Sequence, residues 1–305
     1  MEIKVKGLGR RLISLWSKKS RPKIEHSEKF RNEKVKNNAW LNSGHPNFER
    51  WKRARELSIE RGKFVKSIVE KYRSCENLSI LDLGSGEGGT SAVFSELNRV
   101  FGYDLNLIRL ERQKDNSADY FKINGDALKL SFKDNSFDLI ILQDVIEHLQ
   151  DCKLLLNEIR RVLKPDGMIY ISTPNKYSIF NFIADPHWGL PLISILKRDT
   201  IRDYFLKYFR KGEITRKDIP ELLSLNDIFR SLGNYFEINL ETRHTVERLL
   251  SGDKGLAWSN FHLAVIKIVI KTKAGRLLIL FSNNRPGFVN KYFNPTFYLT
   301  AKKIK

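Results

Sequence analysis

The chain has 305 residues, with 54 lysines and arginines against 35 acidic residues and a net charge of +19. Its two cysteines, Cys75 and Cys152, exclude a disulfide framework and a cysteine-rich metal site. No apolar run is long enough to span a bilayer, and the apolar stretch near the start is too short for a signal peptide. We therefore expect a cytoplasmic protein that attaches peripherally to the inner face of the membrane.

The charge is unevenly distributed along the chain. Residues 1–77 hold 21 basic and 9 acidic side chains, residues 78–175 hold 11 and 15, and residues 176–305 hold 22 and 11. The positive flanks indicate an anionic partner, such as phospholipid, a phosphate-bearing substrate or nucleic acid. The alternative is a solvated, lysine-rich surface with no partner.

Residues 1–45 predict a basic amphipathic arm and a polar linker. In a helix, one face of the arm would carry apolar side chains, and basic side chains would flank it (Leu8, Leu12, Leu15 and Trp16; Arg10, Arg11, Lys18 and Lys19). This pattern is typical of a helix at a membrane interface. We expect residues 46–305 to form one domain, which opens with a helical segment over 45–72.

A glycine-rich turn follows the first predicted strand. Residues 80–91 read Ile-Leu-Asp-Leu-Gly-Ser-Gly-Glu-Gly-Gly-Thr-Ser, a buried strand that runs through glycines into a helix. Glycine lets the backbone turn sharply and approach a ligand closely. The free N–H groups at the start of the helix attract negative charge on that ligand. Gly84, Gly86 and Gly89 also fit the dinucleotide pattern, with Asp104 as the ribose-binding acid, so the spacing alone leaves an NAD enzyme open.

Four further segments contain predicted strands two to five, at 100–106, 123–127, 136–149 and 161–175. The third and fifth strands are flanked by turns, and the fourth enters a helix that we expect to begin at His148. Strands that alternate with helices indicate a parallel sheet with helices on both faces. Ligands of such sheets bind at the carboxyl ends of the strands. Gly84, Asp104, Asp126 and Gln143 each lie at such an end, which predicts a common site.

Two insertions interrupt the later part of the domain. Residues 176–217 leave strand five at the mouth of the site, so we expect a lid or substrate wall. A helix over 220–233 and strands six and seven, at 235–242 and 296–301, complete the pattern. The second insertion, 245–293, contains the apolar segment 258–281, which we interpret either as a buried helical hairpin or as an interfacial segment with snorkelling lysines.

The ordered motifs of residues 78–175 resemble the class I S-adenosylmethionine-dependent methyltransferases. The resemblance is closest to the small-molecule branch that includes the ubiquinone-biosynthesis O-methyltransferases. The resemblance implies a Rossmann-like α/β fold with a seven-stranded, mostly parallel sheet, and S-adenosylmethionine as cofactor. We find no hydride-transfer site, which argues against the NAD enzyme.

The resemblance also implies roles for individual residues. The carboxylate of Asp104 would accept hydrogen bonds from both ribose hydroxyls. Gly84, Ser85 and Gly86 would contact the methionine portion of the cofactor, and Asp82 its amino-acid end. Leu105 would contact the adenine ring, with Asp126 and Ala127 at its edge. Gln143, at the end of strand four, would lie on the sulfonium side.

Two histidines are candidate catalytic bases, because imidazole takes up a proton near neutral pH. His148 lies just past strand four, where a packing or capping role is the alternative. His187 lies in the first insertion, where the alternative is a loop residue held by Asp185. Asp144, Glu147 and His148 resemble a metal motif of ubiquinone-type enzymes, but acids at a helix start also favour its dipole, and we predict no metal.

The sequence therefore predicts an enzyme that methylates an oxygen of a small-molecule, lipid or lipid-linked glycan acceptor at a membrane surface. Two alternatives remain: an RNA methyltransferase, which the positive charge favours, and a non-catalytic S-adenosylmethionine-binding partner subunit. Nucleic acid is the less favoured partner, because strand four ends in Leu-Gln-Asp-Val rather than in a base-methylation motif. The sequence leaves the oligomeric state open.

Overall fold

The structure is a computed structural model that describes residues 43–44, 48–113, 118–214, 218–256, 260–272 and 274–304. The predicted amphipathic arm, with Leu8, Leu12, Leu15 and Trp16, lies outside the described residues. So does most of the predicted linker.

Seven strands form one sheet in the order β3-β2-β1-β4-β5-β7-β6. They are β1 (Ser79–Leu83), β2 (Arg99–Asp104), β3 (Phe121–Asn124), β4 (Phe137–Gln143), β5 (Leu163–Pro174), β6 (Phe236–Leu240) and β7 (Thr296–Lys303). β7 pairs antiparallel with β5 and β6, and the other pairs are parallel. The predicted fold class is confirmed. The strand order reverses between β1 and β4, so a cleft opens at their carboxyl ends.

Helices connect most of the strands, and the α-helices with five or more residues are numbered here. In chain order they are α1 (Phe48–Glu56), α2 (Ser58–Val69), α3 (Gly89–Ser95), α4 (Leu107–Arg112), α5 (Cys152–Val162), α6 (Ile179–Ile183), α7 (Leu225–Leu232), α8 (Thr242–Leu250), α9 (Asn260–Lys271), α10 (Gly275–Phe281) and α11 (Phe288–Tyr292). In β4, Ile140 and Leu142 enter the core of one face, and Leu139 and Ile141 enter that of the other. Burial on both faces explains why this strand is apolar throughout.

Three predicted helix boundaries differ from the structure. The helix over 45–72 is two helices that break at Leu57, and the helix over 220–233 begins only at Leu225. A capping box between Ser224 and Asp227 fixes that start, because each side chain accepts the backbone N–H of the other. His148 does not begin a helix: it ends the 3₁₀ turn Ile146–His148, and α5 starts four residues later.

The first insertion has a small apolar core of its own. Trp188, Ile201, Phe205 and Leu206 are buried together, and the rings of Trp188 and Phe205 lie 5.5 Å apart. The backbone over Ile201–Leu206 is a π-helix, which continues into a short α-helical turn. The aromatic side chains that do not enter this core are exposed (Tyr204, Tyr208 and Phe209).

The second insertion contains the helices α9 and α10. Their described large apolar side chains are mostly exposed, with Leu280 at 74% and Ile268 at 61%. The interpretation of 258–281 as a buried hairpin is therefore wrong for the described side chains. Within the described residues, no helix is both long and apolar enough to span a bilayer.

Helix α2 packs against the start of α3 through glycine. A Cβ on Gly62 would lie 2.8 Å from the Cα of Thr90 and 2.9 Å from the carbonyl oxygen of Gly89. Gly62→Ala should therefore separate the two helices and destabilise the fold by about 1–3 kcal/mol, as overpacking does. Urea denaturation measures this change.

Gly212→Ala is the matched control, because a Cβ there meets no atom within 4 Å. We expect its stability to equal or slightly exceed that of the wild type, since alanine restricts the unfolded chain. Equal stabilities of the two variants would contradict the close packing of α2 on α3.

Candidate active site

The glycine turn joins β1 to α3 with a left-handed backbone. Gly84 and Gly86 have φ values of 69° and 54°, and Gly88, before α3, has a φ of 77°. A Cβ on Gly84 would lie 2.4 Å from a methyl group of Val145, so the loop after β4 packs directly on the turn. A Cβ on Gly86 would meet no atom closer than 3.7 Å. The turn is therefore closed on the β4 side and open above Gly86, where a ligand can approach its backbone.

Asp104 connects the ends of β2 and β1. Its Oδ2 accepts the N–H of Gly86 at 2.9 Å, and its Oδ1 accepts the N–H of Asn106 at 2.7 Å. The side chain is buried beside the open face of the turn. Each carboxylate oxygen has a second lone pair, so both can still accept hydroxyl hydrogens of a ligand.

Asp82 lies beneath the turn rather than in the open cleft. It is buried, and its Oδ2 accepts the hydroxyl of Ser91 at 2.6 Å. Burial raises the pKa of Asp82 to about 6, and the nearby charge of Asp104 adds to the shift. A cationic group of a bound ligand would favour the ionised form. The structure thus supports Asp82 as a residue that holds α3 to β1.

The remaining predicted cofactor residues surround the same cleft. Leu105 is 71% exposed beside Asp104, so its side chain is available to an aromatic ring. Gln143, at the end of β4, accepts the hydroxyl of Thr90 at 2.7 Å. Asp126 caps its own turn by accepting the N–H of Leu128 at 2.9 Å, and the partly buried Ala127 follows it.

Gln113 is a site residue that the sequence reading missed. It is fully buried, and its side-chain amide donates to the hydroxyl of Ser85 at 3.1 Å and to the carbonyl oxygen of Gly86 at 2.7 Å. Tyr120 donates to Gln113 at 3.1 Å. These bonds fix the shape of the turn from below. No motif marks Gln113, because its role depends on the position of α4 in space.

Arg61 was missed for the same reason. It forms an ion pair from α2 with Asp144, which follows β4 and has a positive φ of 56°. The hydroxyl of Ser172 also donates to Asp144 at 3.0 Å. The leading helices therefore contribute a charged group to the cleft, and Asp144 is already occupied by two donors.

Glu147, His148 and His187 lie together next to this ion pair. Glu147 is buried and accepts the hydroxyl of Thr173 at 3.0 Å, while its Oε1 lies 4.0 Å from Nε2 of His187. Burial raises the pKa of Glu147 well above its usual value, and the charge of Asp144 adds to this. The rings of His148 and His187 meet edge to face at 5.1 Å. The structure thus brings both predicted bases to one place.

The two histidines are held differently. Nδ1 of His148 lies 2.8 Å from the carbonyl oxygen of Asp218, which requires the proton on Nδ1 and places the lone pair of the neutral ring on Nε2. His187 follows Asp185, whose Oδ1 accepts the backbone N–H of His187 at 2.8 Å. Asp185 also lies 3.9 Å from Nδ1 of His187. Both rings are partly buried.

Glu147, His148 and His187 also could hold a metal ion, since one ligand atom of each lies within 4.8 Å of the others. The motif in the sequence has Asp144 in place of His187. Asp144 instead pairs with Arg61, so His187 from the insertion takes its place in the cluster.

The chain matches known families over this same region. Residues 81–171 match a family model described as a methyltransferase domain. A ubiquinone biosynthesis O-methyltransferase of Bartonella quintana is 29% identical over 164 residues, which are 50% of this chain and 60% of that protein. A demethylmenaquinone methyltransferase of Staphylococcus aureus is 30% identical over 121 residues, 37% of this chain and 50% of that protein. The chain thus spans about half the length of these curated relatives.

A solved structure, an S-adenosylmethionine-dependent methyltransferase from Mesorhizobium loti, aligns with 78% of this chain and 96% of its own. Its TM-score is 0.49 and its identity is 16%.

Residues 81–171 are a methyltransferase domain. For this domain, the predictions of a methyltransferase family, of an enzyme of that class and of S-adenosylmethionine as cofactor are confirmed. The residues present fit this cofactor, because the turn is open above Gly86 and the Asp104 carboxylate borders that opening.

Asp104→Ala should weaken the binding of S-adenosylhomocysteine measured by calorimetry. Each hydrogen bond to the charged carboxylate contributes about 1.5–3 kcal/mol, so the loss of one weakens binding at least roughly tenfold. Asp166→Ala is the control, since this exposed acid precedes the buried part of β5. Unchanged affinity in a folded Asp104→Ala protein would contradict the assigned ribose contact.

Proposed function

We propose that the protein transfers a methyl group from S-adenosylmethionine to an oxygen of a small-molecule, lipid or lipid-linked glycan acceptor at a membrane surface. The observation that carries the proposal is the position of the histidine pair. His148 lies on the loop after β4, whose Val145 contacts the glycine turn, and His187 lies on the insertion after β5 with its ring 5.1 Å from that of His148. The name of one relative, a ubiquinone biosynthesis O-methyltransferase, supports an oxygen acceptor.

S-adenosylmethionine, when bound, supplies a methyl group on a sulfonium that is already a good leaving group. The chain's own task is therefore to hold the acceptor in line with this methyl group, a form of catalysis that proximity alone supplies. The residues around the turn hold the cofactor, and the first insertion encloses the acceptor. A base is needed where the acceptor is a hydroxyl of high pKa, because the oxygen loses its proton as it gains the methyl group.

His148 and His187 are the proposed bases. The hydrogen bond of His148 to the carbonyl oxygen of Asp218 fixes its tautomer and leaves Nε2 as the proton acceptor. In His187 the Nε2 faces the buried Glu147, which stabilises the ring once it is protonated. Both arrangements support proton transfer, and they differ in the nitrogen that meets the acceptor.

Three features support a membrane site for the reaction. The flanks of the domain are basic, and the first 77 residues alone hold 21 lysines and arginines. The predicted arm adds an amphipathic face. In the first insertion, Tyr204, Tyr208 and Phe209 are 66%, 64% and 74% exposed, beside Lys207 and Arg210. Exposed aromatic and basic side chains are typical of proteins that bind the bilayer interface.

Methyl transfer can be followed with methyl-labelled S-adenosylmethionine and a total lipid extract. His187→Ala should lower the label transferred to lipid about 10²–10⁴-fold, the usual contribution of a general base, while the affinity for S-adenosylhomocysteine changes little. His148→Ala should show this loss instead if His148 is the base. His244→Ala is the control, because this histidine contacts Ser67 on α2 instead of the cluster. Full activity of both site variants would contradict a side-chain base.

The basic flanks also suit RNA, and co-sedimentation with lipid and with structured RNA in parallel separates the two partners. We expect strong binding to anionic vesicles at low salt, weak binding to neutral vesicles, and a reduction when residues 1–20 are deleted. Each basic side chain near such a surface contributes on the order of 1 kcal/mol, which salt screens. Trp16→Ala should weaken binding and leave its salt dependence nearly intact. Binding to RNA with a steep salt slope, and none to lipid, would favour the RNA methyltransferase.

A further inference from the structure

The C-terminal helices of the domain expose an unusually large number of apolar side chains. We name this set the C-terminal apolar surface (Ile268, Ile270, Leu277, Leu278, Leu280, Phe281, Phe288, Tyr292 and Phe293). Leu280 and Phe288 are 74% and 69% exposed. Single exposed apolar residues are common, whereas many of them on one segment make it a candidate site of interaction.

The spacing in α10 makes part of this surface a single face. Leu277, Leu280 and Phe281 lie at positions i, i+3 and i+4 of the helix and are 57%, 74% and 61% exposed. The ring of Phe288 lies 5.2 Å from that of Tyr292 and 5.9 Å from that of Phe293, so the aromatic residues form a cluster of their own. An apolar helix face and an aromatic cluster next to it in the chain form the surface.

The charged side chains of this C-terminal segment have one sign only. Residues 254–305 contain eight lysines and two arginines and no aspartate or glutamate. Among them Lys267, Lys271 and Arg276 are exposed on α9 and α10. A second copy of this chain would bring like charges together at such a surface, whereas an anionic lipid headgroup layer offers the opposite charge to every basic side chain.

Buried asparagines fix this surface to the carboxyl edge of the sheet. Asn290, in α11, accepts the hydroxyl of Thr242 at 2.7 Å and donates to the carbonyl oxygen of Asn283 at 2.8 Å. Asn175, directly after β5, donates to the carbonyl oxygens of Lys291 and Asn294 at 2.9 and 2.8 Å. The aromatic cluster is therefore attached to the edge of the sheet at which the glycine turn and the histidine pair lie.

We propose that the C-terminal apolar surface docks the protein on an anionic lipid bilayer. The twelve residues of α9 and the seven of α10 lie in the headgroup layer with Leu277, Leu280 and Phe281 inserted and the basic side chains at the phosphates. This inference rests on the proposed function in one respect: it explains how the active-site edge meets an acceptor that resides in lipid.

The test uses the full-length protein and its co-sedimentation with vesicles of phosphatidylcholine, with or without 30% phosphatidylglycerol. The variant combines Leu277→Ser, Leu280→Ser and Phe281→Ser, and the control is Leu97→Ser, a 52% exposed leucine at the opposite edge of the sheet, just before β2. We expect at least a tenfold loss of binding to the anionic vesicles in the triple variant and none in the control. Wild-type binding by the triple variant, or equal binding of the wild type to neutral vesicles, would overturn the proposal.

A second variant tests the charges. Lys267→Gln, Lys271→Gln and Arg276→Gln together should weaken binding to anionic vesicles at least tenfold and flatten its dependence on salt. The matched control replaces three exposed lysines elsewhere in the domain (Lys129, Lys133 and Lys153) with glutamine and should bind like the wild type. Equal losses in both variants would show attraction by net charge alone and overturn the assigned surface.

Two further measurements separate this inference from its alternatives. Sedimentation velocity without lipid detects a second copy as the occupant: a wild-type dimer that the Leu277/Leu280/Phe281 variant abolishes would overturn the docking proposal. Calorimetry with S-adenosylhomocysteine should give wild-type affinity for every variant here. Vesicle binding without S-adenosylhomocysteine binding would refute the proposed function and leave docking intact, and the reverse result would refute docking alone.

Discussion

The hydrogen bond from the N–H of Gly86 to the carboxylate of Asp104 is the constraint on which the candidate site depends. It joins the carboxyl ends of β1 and β2, which pair in parallel through Asp82 and Gly102. The turn needs glycine at these positions, because Gly84 and Gly86 have a left-handed backbone and a Cβ at Gly84 would collide with Val145. A charged acceptor, a turn of free N–H groups and the loop after β4 are thus fixed within one cleft.

Buried polar groups near this turn have partners on other elements. Gln113 supports the turn from α4, Ser91 bonds Asp82 from α3, and Arg61 reaches Asp144 from α2. A buried charge is costly unless it is paired, so each of these contacts fixes the position of a helix as well as of a side chain. The leading helices are therefore part of the site, although they lie before the glycine motif in the chain.

The two insertions extend the same edge of the sheet. The first brings His187 to Glu147 and His148, and Arg198 ties it to the loop after β4 by donating to the carbonyl oxygens of Glu147 and Leu149 at 3.0 and 2.8 Å. The second ends in a segment that Asn175 and Asn290 fix beside β5. The candidate site and the proposed docking surface thus both lie where parallel strands end, because the loops that follow different strands meet at that edge.

The sequence by itself determined the strands, their order in the chain and the glycine turn, since these depend on local patterns: buried apolar runs, glycine spacing and an acid at the end of β2. It also marked Asp104, Gln143, His148 and His187 as candidate site residues. It placed the start of α7 wrongly, because the capping box at Ser224 decides that boundary. Only the tertiary structure decided the roles of Gln113 and Arg61, the replacement of Asp144 by His187 in the histidine cluster, and the exposure of α9 and α10. Each of these depends on which elements meet in space, which no local spacing records.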